Sequence, residues 1–277
     1  MKIAFIGGGN MATAIIDGML EQGSCSVDKL LISVNSESSL QKWQSKGVSN
    51  VQIGPSAAFA EADVWVLAVK PQMMQAVLQA YQGYFTADKL VISVAAGLTV
   101  DSLSYFLSGS SGDNLKIIRT MPNTPSLIGE GVIGAFCSVS VTEQDREQFS
   151  SIFKACGRLD FFEQESMLDA VTGLSGSGVA YVYLFAEALV EGAEALGYDP
   201  IMARKHAVQT LKGATLMMEQ STDDLASLRQ SVTSKKGTTE QALAVFQARG
   251  LKEIVAAAML AAHDRAQELA AELAPKK

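Results

Sequence analysis

Two short stretches of the chain carry residue types and spacings suited to holding anions. The first, Gly7-Gly8-Gly9-Asn10-Met11-Ala12, closes the apolar run KIAFIG and opens a segment of helical spacing. It reads as GxGxxA: Gly7 permits a tight turn, Gly9 lets the backbone approach a pyrophosphate, and Ala12 lets helix and strand pack closely. The N–H groups of the first helical turn, around Asn10 and Met11, lack intrahelical partners and sit at the positive end of the helix dipole, which favours phosphate. The alternative is a glycine-rich turn that binds nothing; the strand before it and the helix after it argue for a dinucleotide. The second stretch is SVTSKKGTTEQAL, Ser231 to Leu243. A small turn there leads into a helix beginning near Thr238, so Thr238 and Thr239 present free backbone N–H groups, and the hydroxyls of Ser234 and Thr239 complete an anion site. A competing local reading makes Thr238 the N-cap of that helix and Gln241 its capping-box partner.

Four further loops follow predicted strands. In open parallel sheets ligands bind beyond the carboxyl ends of the strands. The second strand ends in Ser33-Val34-Asn35-Ser36, with Glu37 one step later. Neutral donors at Asn35 and Ser36 suit a ribose 2′-phosphate better than a carboxylate would, which favours NADPH and leaves NADH possible. Ala68-Val69-Lys70-Pro71 places a lysine and a helix-starting proline at the same crevice, against the plainer reading of Lys70 as a surface lysine. Ala95-Ala96-Gly97 offers small residues that let a flat ring approach the backbone. The stiff loop Arg119-Thr120-Met121-Pro122-Asn123-Thr124-Pro125 borders the same crevice or is only a rigid connection.

The elements that must position these loops change character along the chain. Up to Phe162, short β-branched runs (2–7, 30–34, 64–69, 90–94, 115–120) alternate with helical stretches, the pattern of an α/β doubly wound Rossmann-type sheet; the runs 131–139 and 158–162 extend it. After Glu163 strand signals vanish, and the remainder to residue 277 reads as an all-α domain, ending in a charged, alanine-rich tail over 265–277. Two domains result, 1–162 and 163–277. The helix over 179–196 is apolar around much of its circumference and must be covered, either inside its own domain or by a second subunit.

Composition narrows the partners. A net charge of −7 argues against a nucleic-acid surface and for a small metabolite. Three scattered cysteines and two histidines encode neither a disulfide framework nor a metal site, and a reducing cytoplasm fits them. His206 and His263 sit mid-helix outside any motif and read as solvated or packing residues. No apolar run approaches the roughly 18 to 20 residues of a membrane span, so no membrane partner is expected.

Taken in order, FIGGGNMA, AVKPQ, SVAAGLTV, RTMPNTP, DAVTGLSGSG and SVTSKKGTTEQAL resemble the pyrroline-5-carboxylate reductases over nearly the whole chain. The resemblance implies an N-terminal Rossmann domain, a helical domain forming an intertwined homodimer, and reduction of the cyclic imine 1-pyrroline-5-carboxylate to L-proline by NADPH or NADH. It carries cofactor contacts onto Gly7, Gly9, Asn10, Met11, Ala12, Asn35, Ser36, Ala68, Val69, Lys70, Pro71, Ala95, Ala96 and Gly97. Substrate contacts fall on Glu165 and on the turn Ser234, Gly237, Thr238 and Thr239, with Thr239 as the hydroxyl nearest the imine nitrogen. No metal is implied. The chain departs from the family in two places: Ser234-Lys235-Lys236-Gly237 stands where Ser-Pro-Gly-Gly is usual, and Val179 where proline is usual. If position 236 needs positive φ, a lysine there costs on the order of 1 kcal/mol or more.

Two other functions compete. A hydroxyacid dehydrogenase of the same plan needs a catalytic lysine on the helix after the domain junction; 179–196 has none, although Lys205 and Lys212 follow. A cofactor-binding paralogue without turnover is raised only by Lys235 and Lys236.

Overall fold

The computed structural model describes residues 1–108 and 114–275, so the last two residues of the charged tail lie outside the described residues. Eight strands form one sheet: β1 (Ile3–Ile6), β2 (Leu30–Val34), β3 (Val51–Ile53), β4 (Val64–Leu67), β5 (Leu90–Ser93), β6 (Lys116–Met121), β7 (Gly131–Cys137) and β8 (Gly157–Phe162). Their order is β3-β2-β1-β4-β5-β6-β7-β8. All neighbours are parallel except β6 and β7, so the last two strands run against the first six. The doubly wound sheet and its extension agree with the sequence. β3 is the strand the periodicity missed, because three residues are too few to show a period.

Helices α1 (Asn10–Glu21), α2 (Glu37–Ser45) and α5 (Glu143–Phe153) lie on one sheet face, α3 (Met74–Tyr81) and α4 (Val100–Ser108) on the other. The alternation of side chains along β1 divides them. Ile3 and Phe5 join the core with Ile15, Ile16, Trp43 and Phe153, while Ala4 and Ile6 join Leu78, Tyr81, Leu103 and Phe106. Both faces are sealed, as a parallel sheet requires.

Beyond β8 the chain is helical: α6 (Met167–Val171) runs through a π-helical turn, Thr172–Gly176, into α7 (Gly178–Ala195), followed by α8 (Pro200–Gln220), α9 (Leu225–Ser231), α10 (Thr238–Ala248) and α11 (Leu251–Leu273). Composition changes at residue 163, but packing divides later. One compact unit comprises Met1–Ser177 together with the chain from Ala261 onward, the other Gly178–Leu260. The reason is local: Leu168 is fully buried and Asp169 pairs with Arg119 of β6, so α6 belongs to the sheet's packing.

In the second unit α7 and α10 have no buried residue, and α8 buries only Ala203 and Ala207. Val182, Tyr183 and Leu184 of α7 are more than half exposed. Of the two coverings open to this helix, the chain's own core is therefore ruled out. The continuous helical segment Met167–Ala195 is also long and apolar enough, by length and composition alone, to cross a membrane, which no sequence run had indicated. Its first turn is nevertheless tied to the sheet through Asp169.

Candidate active site

The strand registers align Ser33, Ile6, Leu67, Ser93 and Arg119 in one row across five parallel strands. The loops that leave this row are the ones the sequence marked. Strand order reverses beside β1, and there a crevice of about 740 Å³ opens. It is lined by Gly7, Gly8 and Gly9, by Asn35, and by Ala68, Val69 and Lys70. Gly7 adopts φ +107°, and a Cβ there would lie 2.4 Å from the Ala68 carbonyl oxygen, so only glycine makes this turn. Gly9 is the N-cap of α1, supplies no side-chain cap, and has open space beside it. Asn10 and Met11 open the first turn of that helix, Asn10 exposed and Met11 half-buried, and Ala12 is buried against the sheet, as close packing requires.

At the end of β2, Asn35 is exposed, and the Ser36 hydroxyl accepts from the Ser39 amide at 3.3 Å as the N-cap of α2. Ser38 and Ser39 hydroxyls lie 3.2 and 3.0 Å from Ser36 Oγ, a cluster of neutral hydroxyls at a helix N-terminus. Lys70 is exposed at the lip of the crevice and has no ion-pair partner among the described residues; Pro71 starts the 3-10 turn that follows. Ala95 is buried in the core, Ala96 is half-exposed, and Gly97 turns with φ +71°. These three lie on the loop after β5 and do not line the crevice itself.

The crevice has a second wall that sequence reasoning missed. It is made by Ile53 at the end of β3 with Gly54 and Pro55 after it, and by Met73 just before α3 with Val77 and Tyr81 along that helix. The Tyr81 hydroxyl donates to Ser33 Oγ, whose own hydroxyl reaches the Gly54 carbonyl at 3.2 Å, and burial pushes the Tyr81 phenol up despite the Ser33 bond. The helical spacing of 73, 77 and 81 was readable, but nothing local said that this face bordered a ligand.

Glu165 lies in the segment that leads from β8 to α6. Its Oε1 accepts from Arg119 Nη1 at 3.0 Å and from the Val100 amide at 2.8 Å, and Arg119 Nη2 reaches Asp169 Oδ1 at 3.3 Å. The expected loop Arg119 to Pro125 is shorter than the sequence suggested: Arg119, Thr120 and Met121 are the last three residues of β6, and the arginine is buried and doubly paired within the sheet.

The turn before α10, in the second unit, runs from Ser234 to Gly237, closed by the Gly237 amide on the Ser234 carbonyl at 3.0 Å. Lys236 has φ +59°, the sole positive φ among the described residues that are not glycine, at the position where a type II turn demands it. The conditional strain of about 1 kcal/mol or more therefore applies. The Lys236 amide donates to Glu240 Oε2 at 2.7 Å. The helix is capped by Gly237, without a side-chain acceptor, and its Cα position is closed by Ser234 Oγ. The reading of Thr238 as N-cap with Gln241 in a capping box is thus corrected: Thr238 is the first helical residue, and the carboxylate three residues after the cap, Glu240, reaches back past it.

Sheet order, glycine turn and crevice define a dinucleotide-dependent oxidoreductase of the Rossmann type. Residues 2–97 match the family described as NADP oxidoreductase, coenzyme F420-dependent, and residues 165–269 match pyrroline-5-carboxylate reductase dimerisation. A pyrroline-5-carboxylate reductase of Vibrio alginolyticus is 40% identical over 97% of both chains. The structure of a pyrroline-5-carboxylate reductase from Coxiella burnetii superposes with a TM-score of 0.88 at 36% identity, covering 97% of this chain and 98% of that one. The Plasmodium falciparum pyrroline carboxylate reductase, solved with NADP bound, gives 0.84 at 28% identity over 98% of both. The chain belongs to the pyrroline-5-carboxylate reductase family.

Proposed function

We propose that the chain reduces 1-pyrroline-5-carboxylate to L-proline at the expense of NADPH, the last step of proline synthesis. One structural observation carries the reading. Helices α2, α5, α8 and α9 are each capped by a side chain, from Ser36, Thr142, Asp199 and Asp224. The two helices that the sequence assigned to anions, α1 and α10, are capped by Gly9 and Gly237 with no side-chain acceptor. Their first-turn N–H groups are left for an external anion.

The residues of the crevice fit a phosphorylated dinucleotide. The first-turn amides of α1, around Asn10 and Met11, take the pyrophosphate, with Gly7 and Gly9 keeping the backbone close. Asn35, Ser36 and the neighbouring serine hydroxyls take the 2′-phosphate, and Lys70 and Pro71 border the ring side. Ala95, Ala96 and Gly97 offer a flat backbone to the nicotinamide, which when bound supplies the hydride that reduces the imine carbon. At the α10 turn the amides of Thr238 and Thr239, with Ser234 Oγ and the Gly237 backbone, hold the substrate carboxylate. The Thr239 hydroxyl hydrogen-bonds the ring nitrogen, which ends the reaction as a protonated secondary amine. A cyclic imine is basic enough to carry its own proton near neutral pH, so no strong protein acid is needed.

The helical unit pairs with a second copy to form an intertwined dimer, which covers the exposed face of α7 and gives Met167–Ala195 a protein rather than a lipid neighbour. Neither a nucleic acid nor a membrane is a partner, and the cytoplasm is the site of action. Incubating the protein with NADPH and the imine and following the reduced-nicotinamide absorbance tests the reading; no oxidation above background overturns it. Thr239→Ala is expected to lower turnover about 100-fold, the size of a lost proton-transfer or hydrogen-bonding group, with NADPH affinity unchanged.

A further inference from the structure

Between the end of β5 and the start of α4 the chain makes the loop Val94 to Thr99, which carries Ala95, Ala96 and Gly97. Small residues give such a loop a flat surface but nothing to hold it in place. The structure holds it at both ends and from above. At its start, the Ala95 amide reaches Ser93 Oγ at 3.3 Å, and Thr120 Oγ1 of the neighbouring strand donates to the Ser93 carbonyl at 2.9 Å. Over its middle, Leu269 of α11 fills the space beside Gly97. At its far end, Thr99 caps α4 through the Ser102 amide at 3.1 Å, and the next amide, Val100, goes to Glu165 Oε1 at 2.8 Å.

Glu165 is 65 residues from Val100 in sequence, and its carboxylate has a second duty. The same oxygen accepts from Arg119, 5% exposed, whose other nitrogen pairs with Asp169. Arg119 stands directly beside Ser93 in the sheet register. The carboxylate is therefore fixed to Arg119 of β6 and presented to the far end of the loop. Asp169 balances and orients the arginine without touching the loop itself.

We propose that Glu165 is a positioning residue for the cofactor: held by the Arg119 and Asp169 pair, it fixes the N-terminus of α4 and with it the backbone of Ala95 to Gly97 against which the nicotinamide lies. This rests on the reading that the crevice takes NADPH. It gives Glu165 a role through the loop, where the family resemblance placed it on the substrate.

Calorimetric titration of the full chain with NADPH, without substrate, tests the idea. Glu165→Ala is expected to weaken NADPH binding about tenfold. Glu165→Gln keeps an acceptor for Val100 and is expected to recover most of that loss. Val100→Pro removes the amide from the other side at the first position of a helix, where proline is tolerated. It is expected to weaken binding as Glu165→Ala does, with no further loss in the double variant. Asp169→Asn is expected to change binding less than threefold. The proposal is overturned if Glu165→Ala and Val100→Pro bind NADPH as the wild type does while only their melting temperatures fall. It is overturned too if Glu165→Ala raises the KM for the imine alone, which would return Glu165 to the substrate. A wild-type chain that binds no NADPH overturns the functional reading along with this one, whereas normal wild-type binding with an unaffected Glu165→Ala overturns this one alone.

Discussion

The two compact units solve the problem of apolar surface in opposite ways. The sheet unit closes both faces of β1 to β6 with its own helices, so Trp43, Trp65, Phe5 and Phe153 are all fully buried within one chain. The helical unit leaves Tyr183, Leu184, Ile201, Met217 and Ile254 exposed. A chain does not keep such a face in water when a second copy can cover it, and obligate interfaces of this kind resemble a core cut in half. The first unit is thus a self-sufficient scaffold for a crevice. The second presents an apolar face within a segment that matches a dimerisation family, and its glycine-capped helix α10 lies in that unit.

The comparison is broken most severely by charging the exposed face. Leu184→Glu is expected to destabilise the dimer by about 4–8 kcal/mol, since a hot-spot loss of about 2–4 kcal/mol occurs twice in a two-fold assembly. Size-exclusion chromatography with light scattering should show monomer, while calorimetry should still show NADPH binding; loss of both would refute the independence of the sheet unit. Trp43→Ala probes the other side. Its indole is fully buried and donates to the Gly8 carbonyl at 3.1 Å, so truncation is expected to cost about 3–5 kcal/mol in denaturant unfolding and to loosen the glycine turn.

Asp145 gives a smaller, pH-dependent probe confined to the sheet unit. Burial raises its pKa, but the Thr142 hydroxyl and amide and the Lys116 ammonium, at 3.1 Å, outweigh burial and hold it below the usual carboxylate range. Its stabilising effect is present above the unfolded pKa of about 3.9 and is lost as pH falls through the lower folded value. Asp145→Asn is expected to cost about 1–2 kcal/mol at neutral pH. That difference should close as pH drops below about 4; a pH-independent difference would mean that packing and not charge is at stake. The smallest effect belongs to the strained turn. Lys236→Gly relieves a left-handed lysine but loosens the unfolded chain, for a net gain of about 0.5–1 kcal/mol in the helical unit alone. Melting followed for each unit separately would register it there and nowhere else.

Much of the first unit was legible because its signals are local. GxGxxA follows a strand and opens a helix within a dozen residues, and the strand ends at Ala68 and Ala95 announce themselves by abrupt changes of residue type. Positive φ at Lys236 was raised only as a condition, from the glycine that the resembled family usually carries at that position, and the structure meets the condition. What escaped depends on neighbours distant in sequence. Ile53 to Pro55 became a wall of the crevice only because β3 lies beside β2, and a three-residue strand carries no period to predict it. Arg119, Glu165 and Asp169 are separated by 46 and 50 residues, and no spacing rule joins them. Thr238 was read as the helix cap because propensity favours a hydroxyl there, but Gly237 holds that position, with the Glu240 carboxylate on the Lys236 amide organising the turn one residue earlier.

By itself the sequence determined the periodicities, the glycine turn, the neutral end of β2 and the change from alternating to all-helical grammar, since each is fixed by backbone sterics and residue type over a few positions. The tertiary structure alone decided which strand ends share one row, which arginine steadies which loop, and that α7 keeps its apolar face outward. Those outcomes depend on packing between segments whose separation along the chain carries no local trace.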